Sequence, residues 1–529
     1  MLQKTVITQN KQKSKFHNKF KFLVPRRGFF TLLRYKLYSP MRRHVKLYSI
    51  FLVLFLLVSA TKNPVANQQR DFTIFKDVLI EKQGTLNLNN SIDSINLFLK
   101  YVEFKFTKEQ SVLDQYKLYS AALSMIHCGH TQIHPNNAVL FQWLTVRKSM
   151  PFDVYFVGKH LMVNELLSED LSLIQEGKPA NERTKTIKAG SEILTIDYKT
   201  IPEIMNEIAP FLSSDENGID FKYFQAGQMF DFYRHISSPF TKDSIHVSYV
   251  YKNDTNELYF MPGAAPVRTI NLRSKTNAER FEKEESSMGT FSIVRGRGYF
   301  RFHSFKESYG KKYNEFLRKS FEKIKSKKID EIIIDLRGNT GGAMQYEIMA
   351  YFLENGTDLG KYVVQKPKKA FESRHFKKMT PDYIKHRKST KTQKRLQRKD
   401  RFDNGSTLVE NSNDELRYTG KIVVITDEGT FSSAAMLACH LKTLCKAKIM
   451  GRPAGGSFYK GNAGTLKLHL PYSKFNIFIN PNTFHSHLKP SKDSQLIKQP
   501  DIFIDTKITD IKKRDEFYLK TAIRAFNEK

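Results

Sequence analysis

Two glycine-containing segments hold residues whose types and spacing suit acyl-transfer chemistry. The first, residues 335–342, reads Asp-Leu-Arg-Gly-Asn-Thr-Gly-Gly, follows an apolar run and leads into a sequence typical of a helix. Glycines at the end of a strand permit a tight turn that exposes backbone N–H groups at a helix start, where they can stabilise a developing oxyanion. Phosphate-binding loops look similar, but this segment lacks the Gly-Lys-Ser/Thr ending and the G-x-G-x-x-G spacing of nucleotide loops.

The second segment, residues 427–435, reads Asp-Glu-Gly-Thr-Phe-Ser-Ser-Ala-Ala and also follows an apolar run. Two adjacent serines, Ser432 and Ser433, open a predicted helix. Serine is a frequent helix N-cap, so one of the two can cap the helix while the other faces a site. Taken alone, the segment favours capping, which is the commoner use of such a serine, and leaves a nucleophile as the alternative.

Buried strands and helices are predicted around both segments. Ile329 to Leu336 and Gly420 to Thr426 are near-continuous apolar runs, typical of strands buried between helices. Helices are predicted before, between and after these strands, over Lys311 to Ile324, Ala343 to Leu353 and Phe431 to Leu444. This alternation of strand and helix predicts an α/β fold with a mainly parallel core.

The sequence upstream of this core divides into a helical and a strand-rich region. Residues 71–126 carry apolar side chains at spacings of three and four, which predicts amphipathic helices. Ala189 to Ile201 is typical of a turn, a short buried strand and a second tight turn, followed by a helix from Pro202 to Leu212. This stretch resembles PDZ domains, which bind an extended peptide as an added strand at a sheet edge. An unrelated small β-rich domain is the alternative.

Three motifs in order carry a resemblance to a known family. Asp-Leu-Arg-Gly-Asn-x-Gly-Gly is followed about 90 residues later by Ser-Ser-Ala, and then by Met-Gly-Arg-Pro-Ala-Gly-Gly at 450–456. This set resembles the C-terminal processing (tail-specific) serine peptidase family, over residues 71–529 with its specific motifs in 330–457. The resemblance implies an α/β, ClpP/crotonase-like protease core with a PDZ-like β-rich domain and a helical N-terminal region.

The family's nucleophile corresponds to Ser432, but its usual Lys base does not correspond to a lysine here. That base would stand at position 457, which is Ser457, and Lys460 is out of register. The family's usual Glu, three residues after the nucleophile, is Ala435. A Ser–Lys dyad is therefore not expected.

A tricorn-like branch of the family instead takes a histidine base from a region before the PDZ-like domain. His130, within Cys-Gly-His-Thr, matches that motif, and imidazole titrates in the range needed to activate a serine hydroxyl. The resemblance implies Ser432 as nucleophile, His130 as base, and the backbone N–H groups of Gly341 or Gly342 and of Ser433 as oxyanion hole. The third, orienting residue is not identified, since the branch's serine before the histidine is Gly129 here.

The net charge of the chain is concentrated in two segments. The 529 residues contain 86 Lys and Arg against 53 Asp and Glu, a formal +33 that by itself suggests nucleic acid or a membrane surface as partner. Residues 1–60 supply 13 of these charges and residues 361–400 a further 12, which leaves 8 for the rest. The basicity is therefore local, and nucleic acid is not expected as a partner.

Residues 1–60 are predicted to be a basic leader with a signal peptide. Met41 begins a basic stretch, and residues 47–60 form an apolar run that ends in Val-Ser-Ala and is too short for a comfortable membrane span. We expect Met41 to be the working start, and an uncleaved signal anchor in contact with the membrane is the alternative to cleavage. The protein is predicted to be exported to the periplasm or cell envelope, and to be tethered to the membrane if the signal anchor is not cleaved.

The predicted organisation has four parts and leads to one function with one rival. A leader (1–60) precedes a helical domain (61–145), a PDZ-like domain with linker (146–285) and a serine peptidase core (286–529) with a basic insertion at 361–400. The predicted function is that of an exported serine endopeptidase that cleaves polypeptides through an acyl-enzyme on Ser432. The rival is a catalytically degenerate peptide-binding protein on the same fold.

No cofactor or metal is expected from the sequence. His127, His130 and His134 lie close together along the chain, but they lack an HExxH pattern or a nearby acidic partner. The oligomeric state is left open.

Overall fold

The computed structural model divides the chain into two compact units, residues 1–64 and 65–529. The structure describes residues 63–137, 139–140, 143, 148–166, 187–260, 262–264, 288–306, 310–363, 406–410, 414–457, 459–487, 499–507 and 511–527. The predicted leader and all but the first three residues of the predicted basic insertion lie outside these ranges. None of the described helices has the length and apolar character that a membrane crossing would need.

The described helices begin at Pro64 and end at Ala525. The α-helices are α1 (Pro64–Lys82), α2 (Ile92–Lys105), α3 (Val112–Ser124), α4 (Ile201–Ile208), α5 (Ile219–Gln228), α6 (Phe230–Ser237), α7 (Gly310–Ser326), α8 (Gln345–Met349), α9 (Ser433–Cys445) and α10 (Ile511–Ala525). Short 3₁₀ turns cover Ala209–Phe211, Asp215–Asn217 and Asp414–Leu416.

The described strands belong to several separate sheets. In chain order they are β1 (Gln132–His134), β2 (Lys148–Ser149), β3 (Phe152–Val157), β4 (His160–Leu166), β5 (Glu192–Ile196), β6 (Lys199–Thr200), β7 (Ile245–Tyr251), β8 (Asp254–Phe260), β9 (Gly263–Ala264), β10 (Gly289–Val294), β11 (Arg297–Phe302), β12 (Glu331–Asp335), β13 (Asp358–Val363), β14 (Ser406–Leu408), β15 (Lys421–Thr426), β16 (Lys448–Gly451), β17 (Lys460–Ala463), β18 (Leu466–His469), β19 (Asn476–Ile479), β20 (Asn482–Ser486) and β21 (Ile502–Phe503).

The central sheet confirms the predicted mainly parallel α/β core. Its strand order is β10-β11-β12-β15-β16-β21, with β10 antiparallel to β11 and every other pair parallel. Ile332 and Ile334 pack in one apolar cluster with α7 and α9, whereas Ile333 packs in another with α10. Both faces of β12 are covered, which is why its sequence is apolar at consecutive positions.

The β-rich region contains the predicted strand, turn and helix. Its sheet has the order β3-β4-β5-β7-β8, with β6 paired to β5. Asp197 and Tyr198, between β5 and β6, both have positive φ angles of 51° and 65°, as the two central residues of a tight hairpin turn require. Thr200 then caps α4 and forms a capping box with Glu203, so the helix begins directly after the hairpin.

The helical N-terminal region packs on strands from the C-terminal half of the chain. Side chains of α1, α2 and α3 share one apolar cluster with those of β18 and β19. Strand β1 pairs antiparallel with β19, with Ile133 opposite Ile477. This pairing fixes the segment that carries His130 to the part of the chain that follows Ser432.

Two predicted helical segments differ from the structure in length. The amphipathic stretch 71–126 is broken into three helices, because α2 and α3 each begin at a serine N-cap, Ser91 and Ser111. The predicted helix from Ala343 to Leu353 was too long, since α8 covers only Gln345–Met349. Tyr351 and Leu353 continue as a buried turn against the core cluster, which accounts for their apolar character.

Candidate active site

The structure brings Ser432 and His130 together across 302 residues of chain. The Oγ of Ser432 lies 2.8 Å from the Nε2 of His130, within hydrogen-bond distance. A serine hydroxyl in contact with an imidazole nitrogen is the arrangement that allows the base to take the hydroxyl proton as the oxygen attacks.

Ser432 stands at the N-cap position of α9, but its side chain does not cap the helix. Within the described residues its hydroxyl accepts no capping hydrogen bond from α9, and the residue has φ 56° and ψ −129°, an unusual conformation for a residue other than glycine. This conformation turns the side chain away from the helix amides and leaves it for His130. The capping alternative for Ser432 is therefore not what the structure contains.

Two glycines allow neighbouring loops to close around the Ser432 turn. A Cβ on Gly341 would lie 2.8 Å from the Cβ of Ser432, and a Cβ on Gly456 would lie 2.6 Å from the Ser432 nitrogen. Both separations are too short for a side chain. The two Gly-Gly pairs that mark the sequence motifs thus meet at the nucleophile.

The backbone groups predicted to form the oxyanion hole have partners in this structure or lie at a helix start. The N–H of Gly341 donates to Oδ1 of Asn339 at 2.9 Å, and the N–H of Gly342 donates to Oγ of Ser433 at 2.8 Å. The N–H of Ser433 is the first of α9 and has no acceptor within the helix. A substrate oxyanion at Gly342 would have to replace the Ser433 hydroxyl.

Aromatic rings form one wall of the site. The ring of Phe431 lies 4.7 Å from the His130 ring and is stacked on Phe221, with centroids 4.2 Å apart and an angle of 7°. A Cβ on Gly129 would lie 2.6 Å from Cζ of Phe431. The Phe431 ring therefore occupies the space that the side chain of a serine before His130 would need, which explains the glycine at this position.

Gly129→Ala is expected to destabilise the fold by about 1–3 kcal/mol, because the added methyl group overlaps a ring held between two others. Phe431→Leu removes the overlap, so a double-mutant cycle followed by urea unfolding should give a favourable coupling of about 1 kcal/mol or more. Additive losses in the double variant would show that the Phe431 ring is not what excludes a side chain at position 129.

The side chains of Ser457 and Lys460 bond to groups other than Ser432. Ser457 is buried, its N–H donates to Asp215 at 3.0 Å, and its hydroxyl lies 2.7 Å from a carboxylate oxygen of Glu216 and 2.6 Å from the carbonyl of Lys460. The Nζ of Lys460 donates to the carbonyl of Leu88 at 2.8 Å. These contacts agree with the expectation that neither residue acts as the base of a Ser–Lys dyad.

Asp215 is a site residue that the sequence did not suggest. It lies in the 3₁₀ turn Asp215–Asn217, is 5% exposed, and accepts the N–H of Gly129 on Oδ1 at 2.7 Å. Burial lowers the pKa of the His130 imidazole, and the charge of Asp215 opposes this effect. No local pattern distinguishes this aspartate from those in other polar turns, so only the folded structure brings it to the site.

Cys128, His130 and Asp215 form a group whose ligand atoms lie within 4.8 Å of one another. Cys and His are ordinary metal ligands, but here their chemistry fits a metal poorly. Burial, together with the charge of Asp215, raises the pKa of the Cys128 thiol to about 11, whereas a metal needs the thiolate. Both carboxylate oxygens of Asp215 already accept backbone N–H groups.

A buried ion cluster supports the loop that follows β12. Asp335 is fully buried; its Oδ2 accepts from Nη2 of Arg337 at 2.6 Å and from the Tyr299 hydroxyl at 2.9 Å, and Arg301 forms a further ion pair with it. Burial raises the pKa of this carboxyl, but the charges of Arg301 and Arg337 outweigh burial and hold the pKa well below its usual range. The Asp and Arg of the Asp-Leu-Arg-Gly motif are therefore structural.

Asn339 connects the two glycine-containing loops. It is fully buried, its side-chain amide donates to the carbonyl of Phe302 at 3.1 Å, and its own carbonyl accepts the N–H of Phe431 at 3.0 Å. The hydroxyl of Thr430 donates to the carbonyl of Leu336 at 2.9 Å. Ser432 is thus positioned by bonds to the neighbouring loop as well as by its own helix.

Comparison with known proteins identifies the domain that holds Ser432. Residues 296–465 match the model of Peptidase family S41. The chain contains an S41 peptidase domain. This result confirms the predicted resemblance and the α/β fold class, and it makes the domain that of a serine-type peptidase. No curated protein matches the chain.

Solved structures share the fold at low sequence identity. Mature CPAF is 11% identical to this chain, with 84% of this chain and 93% of that one covered and a TM-score of 0.52. Mature CPAF complexed with lactacystin is also 11% identical, with 87% and 98% covered and a TM-score of 0.54. The photosystem II D1 C-terminal processing protease is 13% identical, with 84% and 95% covered and a TM-score of 0.38. At these identities the CPAF structures show a common fold and not common residue roles.

Proposed function

We propose that this protein is an exported serine endopeptidase in which Ser432 is the nucleophile and His130 the base. The observation that carries the proposal is the 2.8 Å contact between Ser432 Oγ and His130 Nε2. It is supported by the S41 domain, which contains Ser432, and by the conformation of Ser432 that frees its side chain from capping. Export rests on the basic leader and apolar run of residues 1–60.

The reaction proceeds through an acyl-enzyme. His130 Nε2 takes the proton of the Ser432 hydroxyl as Oγ bonds to the carbonyl carbon of the scissile peptide, and the carbonyl oxygen becomes an oxyanion. The intermediate collapses as the C–N bond breaks, and the imidazolium returns its proton to the leaving amine. A water molecule, deprotonated by His130, then attacks the ester and releases Ser432.

The oxyanion would be held at the junction of the two glycine loops. The proposed donors are the N–H of Ser433 and the N–H of Gly342, which becomes available once the Ser433 hydroxyl turns away. Gly341 lies against Ser432 and Ser433 and lets the two loops approach each other. The substrate is a polypeptide, and the β-rich region of residues 148–264 is proposed to act as a PDZ-like domain that holds it. A chain extended along a sheet edge presents its backbone for cleavage without demanding one sequence.

The rival function, a catalytically degenerate peptide-binding protein, is favoured by two observations. The Gly341 and Gly342 amides already have acceptors within the protein, and no serine stands before His130. Under this alternative, peptides bind to the β-rich region and are not cleaved at any pH.

A fluorophosphonate probe distinguishes the two functions, because it reacts only with an activated serine. We expect the wild-type protein to be labelled on Ser432 and to cleave casein, and both signals to be lost in Ser432→Ala and lowered at least a hundredfold in His130→Ala. Lys460→Met, which removes the out-of-register lysine but keeps an unbranched side chain, should retain labelling within about threefold. Absence of labelling in folded wild-type protein, together with peptide binding, would establish the rival function.

A further inference from the structure

The base of the proposed dyad has one ring nitrogen in contact with the nucleophile and another without an evident partner. Nδ1 of His130 is buried and makes no hydrogen bond to any of the described residues. When the imidazole takes the Ser432 proton it becomes a cation, and a buried cation needs a compensating negative charge. The Ser432–His130 pair alone does not supply this negative charge.

We propose that Asp215 is the positioning residue of this site, which holds the His130 loop in place and stabilises the imidazolium formed during catalysis. This inference rests on the proposed Ser432–His130 mechanism. It assigns the third group to the turn between α4 and α5, upstream of the domain that contains Ser432.

The first part of the argument is the pair of loops that Asp215 joins. Its Oδ1 accepts the N–H of Gly129, directly before His130, at 2.7 Å, and its Oδ2 accepts the N–H of Ser457, next to Gly456, at 3.0 Å. Gly456 in turn lies against the backbone nitrogen of Ser432. One carboxylate thus accepts hydrogen bonds from the loop that carries His130 and from the loop that packs against Ser432. Such a link helps to fix the distance between His130 and Ser432.

The second part is the charge that His130 experiences. Its neighbours among the described residues include the Cys128 thiol, the Ser432 hydroxyl, the Phe431 ring and the Asp215 carboxylate. Because burial and the charge of Asp215 raise the pKa of Cys128 to about 11, that thiol is neutral. Asp215 is thus the charged member of this set, with a carboxylate oxygen within 4.8 Å of a ring nitrogen.

The third part is the fit of the neighbouring residues to this role. Position 457, where the Ser–Lys branch has its base, is a small residue whose N–H bonds Asp215. Phe431 fills the position from which a serine before His130 would act. A charge in a water-poor site acts over several ångströms, so Asp215 can stabilise the imidazolium without a bond to Nδ1.

The test compares Asp215→Asn with the matched control Glu216→Gln in the full-length protein. Glu216 is the adjacent acid and also contacts Ser457, through its hydroxyl, and so the control removes a charge from the same turn. We expect Asp215→Asn to lower kcat for peptide cleavage about 10²- to 10³-fold with KM changed less than threefold, and Glu216→Gln to stay within about threefold of wild type. Equal losses in the two variants would overturn the proposal.

Asp215→Glu separates charge from shape. It keeps the negative charge and both acceptor oxygens but changes the length of the side chain, whereas Asn keeps the shape and loses the charge together with one of the two acceptors for the Gly129 and Ser457 N–H groups. We expect the Glu variant to be more active than the Asn variant by tenfold or more. The reverse order would show that Asp215 is only a structural tether.

A measurement that needs no activity distinguishes failure of this inference from failure of the proposed function. In the Ser432→Ala background, NMR titration of the His130 ring protons should give a pKa about one unit lower or more when Asp215 is also changed to Asn, because the carboxylate favours the imidazolium. An unchanged pKa would overturn the role of Asp215 even if the wild type is an active peptidase. A lowered pKa in a protein that does not cleave peptides would uphold the electrostatic contact and reject the proposed function alone.

Discussion

His130→Ala is expected to lower kcat for peptide cleavage about 10⁴- to 10⁶-fold while the free energy of unfolding changes by about 1 kcal/mol or less. The large kinetic effect follows because the Ser432 hydroxyl is 2.8 Å from Nε2 of His130 and loses its proton acceptor in the variant. The effect on stability is small because one ring nitrogen is unbonded within the described residues.

The same residue sets the expected pH dependence of the wild-type enzyme. Burial lowers the pKa of His130 below its ordinary value of 6.5, and the charge of Asp215 opposes but does not cancel this effect. The base must be neutral to accept a proton, so the acid limb of kcat/KM should reach half of its plateau value below pH 6.5. A half-maximal rate above pH 7 would contradict the assignment of His130 as the free base.

His134→Ala is the matched control for both measurements. This histidine belongs to the same segment, four residues along, and its exposed side chain contacts Gln132 and the ring of Phe478. We expect the variant to cleave peptides within about threefold of wild type with an unchanged acid limb. A loss comparable to that of His130→Ala would mean that the segment's conformation, and not the His130 base, determines the rate.

Asp335→Ala is expected to destabilise the fold by about 3–5 kcal/mol. The side chain is fully buried and is bonded by Arg337, Arg301 and Tyr299. Its removal takes away the carboxylate that Arg301 pairs with and leaves Arg337 with the half-exposed Asp515 alone. Urea unfolding at pH 7 measures the loss. Glu322→Gln, which breaks an exposed Arg318–Glu322 pair on α7, should cost about 0.5 kcal/mol or less.

The contribution of Asp335 to the free energy of unfolding should decrease at acidic pH. Because the arginine charges hold its folded-state pKa well below the unfolded value of about 3.9, the ionised group stabilises the fold at every pH above that value. This stabilisation is lost as the pH falls from about 4 towards the folded-state pKa. If Asp335→Ala leaves the free energy of unfolding at pH 7 unchanged, the ion cluster is not needed to hold the loop after β12.

Much of the core could be predicted because local patterns encode it. The apolar strand β12, covered on both faces, and the glycine turn after it could be read from residues 329–342 alone. The hairpin at Asp197 and Tyr198 was predicted from its flanking apolar strand and the capped helix that follows. The length of α8 could not be predicted, because the buried turn after Met349 is as apolar as a helix face.

The partnership of Ser432 and His130 was reached from motifs, and their contact exists only in the folded chain. It depends on β1 pairing with β19, and on the apolar contacts of α1, α2 and α3 with β18 and β19. These contacts join segments separated by hundreds of residues, and no periodicity along the chain records them. A short distance between two side chains is a property of packing.

The α/β class, the two glycine loops and the serine that follows a buried strand can be predicted from local patterns, because these features depend on neighbours within about ten residues. The surroundings of that serine depend on the tertiary structure. It placed Asp215 between Gly129 and Ser457, and it filled with Phe431 the space beside Gly129. An aspartate in a polar turn is common, and its burial against two distant loops is fixed by how the elements pack.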